Sequence, residues 1–293
     1  VPELVITHKA QKAEYQIEKT GSKESQLEMV KKIHLPLNSY QKLKAECKKQ
    51  NLEFMSTAFD AVSIETLDKV GLNRMKIPSG EVTNLPYLRQ IGSIGKPIIM
   101  STGMANLEEV RTAIEILVST GMQKRDITIL HCNTDYPTSM EDVNLEAMLT
   151  IKHQLGVEIG YSDHTLGIEV SIAAVAKGAT IIEKHFTLDR NLVGPDHAAS
   201  LEPDEFKLLV QSVRNIEKAL GDGEKKPSQS ELKNIPIIRR SIVAKKPIKK
   251  GEKFSEENIT VKRPGTGISP MEWDNIVGNI SNYNYDMDDL ILW

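Results

Sequence analysis

The chain has 293 residues, 40% hydrophobic and 26% charged, enough to bury a sizeable core in one large domain and a small one. Lys and Arg number 37 against 40 Asp and Glu, a formal net charge of −3, so the basic excess of a nucleic-acid or anionic-membrane binder is missing. Cys47 and Cys132 make no disulfide framework and no stretch reaches the ~20 uninterrupted apolar residues of a membrane span, which together point to a reducing cytoplasm.

The start, VPELVITHKA, lacks a basic-then-apolar signal pattern and a Met, which leaves room for an upstream segment. Glu3 to Ile6 resembles a strand, and residues 21–50 read as a loop and two amphipathic helices. From residue 52 to 186 six short apolar runs recur: Leu52 to Ser56, Arg74 to Pro78, Pro97 to Ser101, Ile127 to Cys132, Val157 to Tyr161 and Thr180 to Lys184. Helical patterns fall between them at Ala61 to Val70, Asn106 to Thr120, Asn144 to Leu155 and Ile168 to Lys177, and another closes the series at Glu202 to Leu220. The second opens on an Asn106 cap with Glu108 and Glu109 in its first turn, where acidic side chains suit a helix N-terminus. This alternation predicts parallel β/α units. A closed parallel barrel has eight strands, so six runs fit either an open doubly wound sheet or a barrel whose two opening units lie upstream of Val1. Residues 222–236, rich in Gly, Pro, Ser and Lys, read as a solvated linker. Residues 237–293 hold the strand-like runs RRSIVAKK and NITVKRP, turn signals at Lys250-Gly251 and Pro264-Gly265, and a short helix near Met271 to Val277, a small β-rich module.

Parallel β/α folds place their chemistry at the C-terminal strand ends. Those positions here are Ser56 and Thr57; Lys76, Ser79 and Glu81; Ser101 and Thr102; Asn133, Thr134 and Tyr136; Ser162, Asp163 and His164; and Glu183, Lys184 and His185. Each hydroxyl or amide alone could simply cap the next helix, but six polar strand ends in succession indicate a site. His164 and His185 close successive runs one β/α repeat apart, and strands ~4.8 Å apart let two imidazoles converge on one divalent ion, unless they bond only to loop backbone. Lys76 with Thr57, Ser79 and Ser101 offers one ammonium and several hydroxyls to a phosphate. Lys76 or Lys184 could instead be a Schiff-base nucleophile, although Lys184, next to His185, faces outward if the histidine faces inward. No glycine-rich nucleotide fingerprint occurs.

The runs KIPSGEVTN, KPIIMSTGM, HCNTDYPT with EDVNL, GYSDHT, IIEKHFTLDR with GPDH, and VKRPGTGI resemble, in this order, the sialic acid synthase family: N-acetylneuraminate synthases with their legionaminate and pseudaminate relatives. The resemblance runs from about Glu14 to the C-terminus and implies a (β/α)8 TIM barrel with a C-terminal antifreeze-like (SAF) domain that covers the partner's barrel mouth in a homodimer. It implies condensation of phosphoenolpyruvate with an N-acylated mannosamine-type sugar such as N-acetylmannosamine, aided by Mn2+ or Mg2+. By position, His164 and His185 match metal-binding histidines, and Thr57, Lys76, Ser79, Ser101 and Ser162 match phosphoenolpyruvate contacts. Glu81 and Tyr136 match active-site positions, Asp196 a sugar-hydroxyl ligand, and Arg263 the small-domain arginine that meets the N-acyl group. Two features depart from the pattern: the opening motifs EAGxNHNG and KFQ are not in the sequence, and Asn two residues after the HC cysteine is replaced by Thr134 with Asn133 before it, so either could meet phosphoenolpyruvate. The rival readings are a Schiff-base aldolase on Lys76, a keto-deoxy-octulosonate or heptulosonate type of synthase, and a non-catalytic carbohydrate-binding protein.

Overall fold

A computed structural model of the chain, which describes residues 1–292, divides by its internal contacts into Val1–Gly221 and a second unit beginning at Asp222. The first unit is organised by a curled parallel sheet of five strands: β1 (Met75–Ile77), β2 (Ile98–Ser101), β3 (Ile127–Cys132), β4 (Glu158–Asp163) and β5 (Ile182–Lys184). Each strand pairs with the one before it in sequence, with Lys76 beside Ile99, Ser101 beside Leu130, Cys132 beside Ser162 and Asp163 beside Lys184. The helices on this sheet are α5 (Ala61–Val70), α6 (Leu85–Ser93), α7 (Leu107–Ser119), α8 (Glu146–Leu155), α9 (Glu169–Ala176) and α10 (Pro203–Leu220). The apolar faces of α5 to α9 and the sheet share one core, including Ile64, Ile77, Leu88, Met100, Leu117, Ile129, Ile159 and Tyr161.

The sequence expectation needs three corrections here. Leu52 to Ser56 is not a ladder strand: the segment meets the sheet only through a parallel bridge from Thr57 to Lys76, and Leu52 stays 64% exposed. Among the described residues five strands, not six, make the sheet, and it does not close into a full barrel. Glu3 to Ile6 is not strand but belongs to α1 (Pro2–Val5), one helical turn begun by a proline whose missing N–H is unneeded there. The next fifty residues carry α2 (Glu14–Thr20), α3 (Gln26–Ile33) and α4 (Ser39–Lys49), the last two as the amphipathic pattern predicts and the first in addition. The helix α6 is also additional.

In the second unit β6 (Ser241–Ala244) and β7 (Ile259–Lys262) pair antiparallel, with Ile242 opposite Val261. They enclose Ile242, Ile248, Phe254, Ile259, Ile276, Tyr285 and Ile291. The presumed linker is not wholly irregular: it and the residues after it form the short exposed helices α11 (Gln229–Leu232) and α12 (Ile235–Ile238) before β6. The short helix expected near Met271 to Val277 is α13 (Trp273–Ile276), preceded by a 3-10 turn at Pro270–Glu272. Among the described residues no helix is long and apolar enough to cross a membrane.

Candidate active site at the C-terminal strand ends

Successive side chains of a strand point to opposite faces, and this period of two sorts the strand-end residues. From β4, Ser162 and His164 face the concave side while Asp163 faces the helices; from β5, Glu183 and His185 face the concave side while Lys184 faces the helices. The outward pair meets in a buried ion pair, Lys184 Nζ to Asp163 Oδ2 at 3.0 Å, with side chains 1% and 0% exposed. Lys184 also donates to the Thr165 carbonyl at 2.6 Å, and Asp163 accepts from the Thr165 N–H, the Thr165 hydroxyl and the Ser171 hydroxyl of α9. Lys184 is thus engaged on the far side of the sheet from the histidines.

On the concave side one polar chain crosses four strands. Buried Lys76 donates from Nζ to Ser101 Oγ at 2.7 Å and lies 3.4 Å from Glu183 Oε2; Glu183 Oε1 accepts from Ser162 Oγ at 2.7 Å; Ser162 Oγ is 3.4 Å from His164 Nε2. The Nδ1 of His164 donates to the Asn133 carbonyl at 2.6 Å, which assigns the proton to Nδ1 and leaves the Nε2 lone pair free. Burial, with a smaller push from His185, lowers the His164 imidazole to about 4, so the ring is neutral near pH 7. The His164 and His185 rings lie 5.1 Å apart at 88°, and His185 Nδ1 is 3.9 Å from Asp196 Oδ2. Burial raises the Asp196 carboxyl, and His185 and His197 pull against it.

Tyr136 covers both imidazoles, with its ring centroid 4.1 Å from His164 and 5.3 Å from His185. Burial is the main cause of its raised phenol pKa. Tyr15 of α2 lies 5.1 Å from Tyr136 on the other side. Ser79 sits in the loop after β1, where its hydroxyl accepts from Gly103 N–H at 2.9 Å and lies 3.4 Å from Cys132 Sγ. Thr134 packs beside Gly103, since a Cβ there would stand 2.5 Å from Thr134 Cγ2. Asn133 turns its side chain to the Asp135 N–H at 2.7 Å, so its backbone carbonyl, not its side-chain amide, reaches His164. Thr57 is held against Lys76 by the lone bridge. Glu81 is buried in the 3-10 turn after β1, where it accepts from Asn84 Nδ2 at 2.5 Å. Arg263 belongs to the second unit, is exposed and donates from Nε to the Ile238 carbonyl at 2.9 Å.

The two imidazoles suit a divalent ion as nitrogen donors, because His164 has its Nε2 free and its Nδ1 fixed by a backbone carbonyl, the usual arrangement of a ligating histidine. Among the described residues no group of three or more His, Cys, Asp or Glu is arranged as a metal cluster, so further coordination would fall to solvent or substrate oxygens. One side chain of the cluster lies outside the sequence-derived set. Glu183 belongs to that set as a strand-end position, and its place two before His185 puts it on the same face. Tyr15 has no local signal, because nothing in a short amphipathic helix marks its contact with a residue 121 positions later.

The NeuB family profile matches residues 1–225 and the SAF domain profile residues 239–293. The chain is 54% identical over 286 residues to an N,N'-diacetyllegionaminic acid synthase of Campylobacter jejuni subsp. jejuni serotype O:2, covering 98% of this chain and 86% of that protein. It is 45% identical to an N,N'-diacetyllegionaminic acid synthase of Legionella pneumophila, covering 99% of this chain and 82% of that one. Among solved structures, an N-acetylneuraminic acid (sialic acid) synthetase from Leptospira borgpetersenii in complex with citrate aligns with a TM-score of 0.68 at 36% identity, over 75% of this chain and 76% of that chain. Matches of this extent and identity place the chain in the NeuB family, with a SAF domain at its C-terminal end.

Proposed function

We propose that the protein condenses phosphoenolpyruvate with an N-acylated mannosamine-type sugar to give a nonulosonic acid and phosphate, and that the sugar carries two N-acyl groups, as in a legionaminate-type synthase. The observation that carries this reading is the continuous chain Ser101, Lys76, Glu183, Ser162, His164, which joins an ammonium fit for phosphate or carboxylate to an imidazole fit for a divalent ion. The N-acetylneuraminate reading has less support, because identity is 54% to the diacetyllegionaminic synthase and 36% to the sialic acid synthetase. An eight-stranded barrel belongs to the same proposal, supported by the consecutive parallel order of the sheet.

Lys76, with Ser79, Ser101, Ser162 and Thr57, would hold phosphoenolpyruvate so that its C3 faces the sugar aldehyde. Asn133, by its carbonyl, orients His164, while Thr134 lines the same loop. A Mn2+ or Mg2+ ion on His164 and His185 would polarise the aldehyde carbonyl. C3 attacks the aldehyde carbon, the C=O π pair passes to the aldehyde oxygen as an alkoxide, and the new C–C bond leaves positive charge at C2, which a nearby carboxylate, Glu183 or Glu81, stabilises. Water adds at C2, one of its protons passes to the new alkoxide, and the other passes to the departing phosphate as the C2–O bond breaks and the C2 ketone forms. Asp196 would accept from a sugar hydroxyl, and Tyr136 shields the imidazoles from water.

We place Arg263 on the N-acyl group of a partner subunit's sugar in a homodimer. Mixing inactive Arg263→Ala and inactive His185→Ala proteins then restores part of the turnover; no recovery despite shown subunit exchange removes the arrangement.

Phosphate release from phosphoenolpyruvate, measured with N-acetylmannosamine and with a di-N-acetylated diaminomannose, tests the main reading. Release should need both substrates and a divalent ion, and kcat/KM should be highest for the diacetylated sugar. A reducible imine on Lys76 would instead favour the aldolase.

A further inference from the structure

Near its start the segment AQKAEYQIEKTG carries a lysine that ought to be solvated, as lysines almost never bury fully without partners. Lys12 is nonetheless buried, its side chain 2% exposed, and its ammonium donates to Thr20 Oγ1 at 2.8 Å, the Gly21 carbonyl at 3.0 Å and Glu24 Oε1 at 3.2 Å. All three ammonium protons are satisfied, two by the far end of the same segment and one by Glu24 just beyond it. Gln16 folds back to accept from the Ala13 N–H at 3.0 Å, and the Thr20 hydroxyl donates to the Gln16 carbonyl at 2.7 Å. The result is a short helix closed on itself by a buried cation, and it presents one ring, Tyr15, to Tyr136 at 5.1 Å.

Tyr136 in turn lies on His164 and His185, so the two phenols form an aromatic wall that begins at the histidines and ends at Tyr15. The Tyr15 hydroxyl accepts from Gln16 Nε2 at 3.2 Å, and its own proton is uncommitted among the described residues. Burial, with the charges of Asp196 and Asp135, raises the phenol pKa and keeps that proton in place. A half-buried ring with a free O–H matches an acylamino substituent: the ring face takes its methyl group and the O–H donates to its carbonyl.

We infer that Tyr15, set by the Lys12 clamp, is a specificity-determining residue that recognises the second N-acyl group of the sugar, at the end of the molecule remote from the aldehyde. The inference rests on the condensation proposed above. A site that hydrogen-bonds a substrate group discriminates against the analogue lacking it far better than an apolar pocket does. Steady-state kinetics of the full-length protein with the two sugars, N-acetylmannosamine and the di-N-acetylated diaminomannose, tests it. Tyr15→Ala should raise KM for the diacetylated sugar about tenfold or more while kcat and both other KM values stay within about twofold. Tyr15→Phe should give an intermediate rise, and Lys12→Met, which leaves the phenol intact, should shift the same constant in the same direction. Thermal unfolding of each variant separates these effects from loss of fold. An equal rise for both sugars, a rise for phosphoenolpyruvate, or no change overturns the role of Tyr15 alone. A wild-type protein that releases phosphate with neither sugar overturns the condensation and this inference together.

Discussion

Lys184 and Asp163 are the most completely buried ionic groups of the site region, and neither touches the concave side. Their mutual attraction offsets the desolvation of both, so removing one strands the other. Lys184→Met should lower unfolding free energy by about 3–5 kcal/mol in urea titrations, and Lys184→Met with Asp163→Leu should recover much of that. A double variant no more stable than the single would show that the pair is not the unit. A second residue-scale prediction concerns Gly103. An added Cβ would stand 2.5 Å from Thr134 Cγ2 and 3.1 Å from Ser79 Oγ, so Gly103→Ala must displace both. KM for phosphoenolpyruvate should rise several-fold while the sugar constants hold, because only the phosphate side of the cluster moves. An unchanged phosphoenolpyruvate KM would remove Ser79 from substrate binding.

At the scale of elements, α7 shows how far local chemistry determines structure. Asn106 Oδ1 accepts from the Glu109 N–H at 3.0 Å while Glu109 Oε2 accepts from the Asn106 N–H at 2.8 Å, a reciprocal cap. Asn106→Ala should cost about 1 kcal/mol in thermal unfolding, and a change near zero would mean water replaces the cap. Such signals are local, which is why α5, α7, α8, α9 and α10 are legible within one or two residues of their observed ends. The failures are non-local. The run LEFMS has strand composition, yet a strand needs a partner along its length, and beyond the Thr57 bridge it has none among the described residues. α6 hides behind Pro86 and Gly92, which look like breakers. Pro86 lies in the first helical turn, where its missing N–H costs nothing, and Gly92 is required because a Cβ would lie 2.5 Å from Thr120 Oγ1. The site follows the same division. The period of two sorts Ser162, His164, Glu183 and His185 onto one face from sequence alone, whereas Tyr15 joins them only through the tertiary fold.

At the scale of the whole molecule, the second unit has a core of its own around Phe254, Ile242 and Tyr285. Residues 222–293 expressed alone should therefore unfold in one cooperative transition by circular dichroism, and Phe254→Ala, which empties a position 4% exposed, should lower its stability by about 3–5 kcal/mol. A broad, non-cooperative melt would mean that this core is insufficient by itself. The first unit is ordered differently, since every strand of its sheet lies beside the strand that precedes it in the sequence. On a ribosome that order becomes a timetable. A new strand emerges roughly every 25 residues, about one to five seconds apart, and finds its neighbour already made. No early strand waits for a distant partner, so little edge is exposed for long while synthesis continues. The last strand to arrive is β5, and with it come Glu183 and His185. Until that moment the candidate site has only one of its two imidazoles and lacks the carboxylate that receives Lys76, so the growing protein completes this cluster only with the last strand of its sheet.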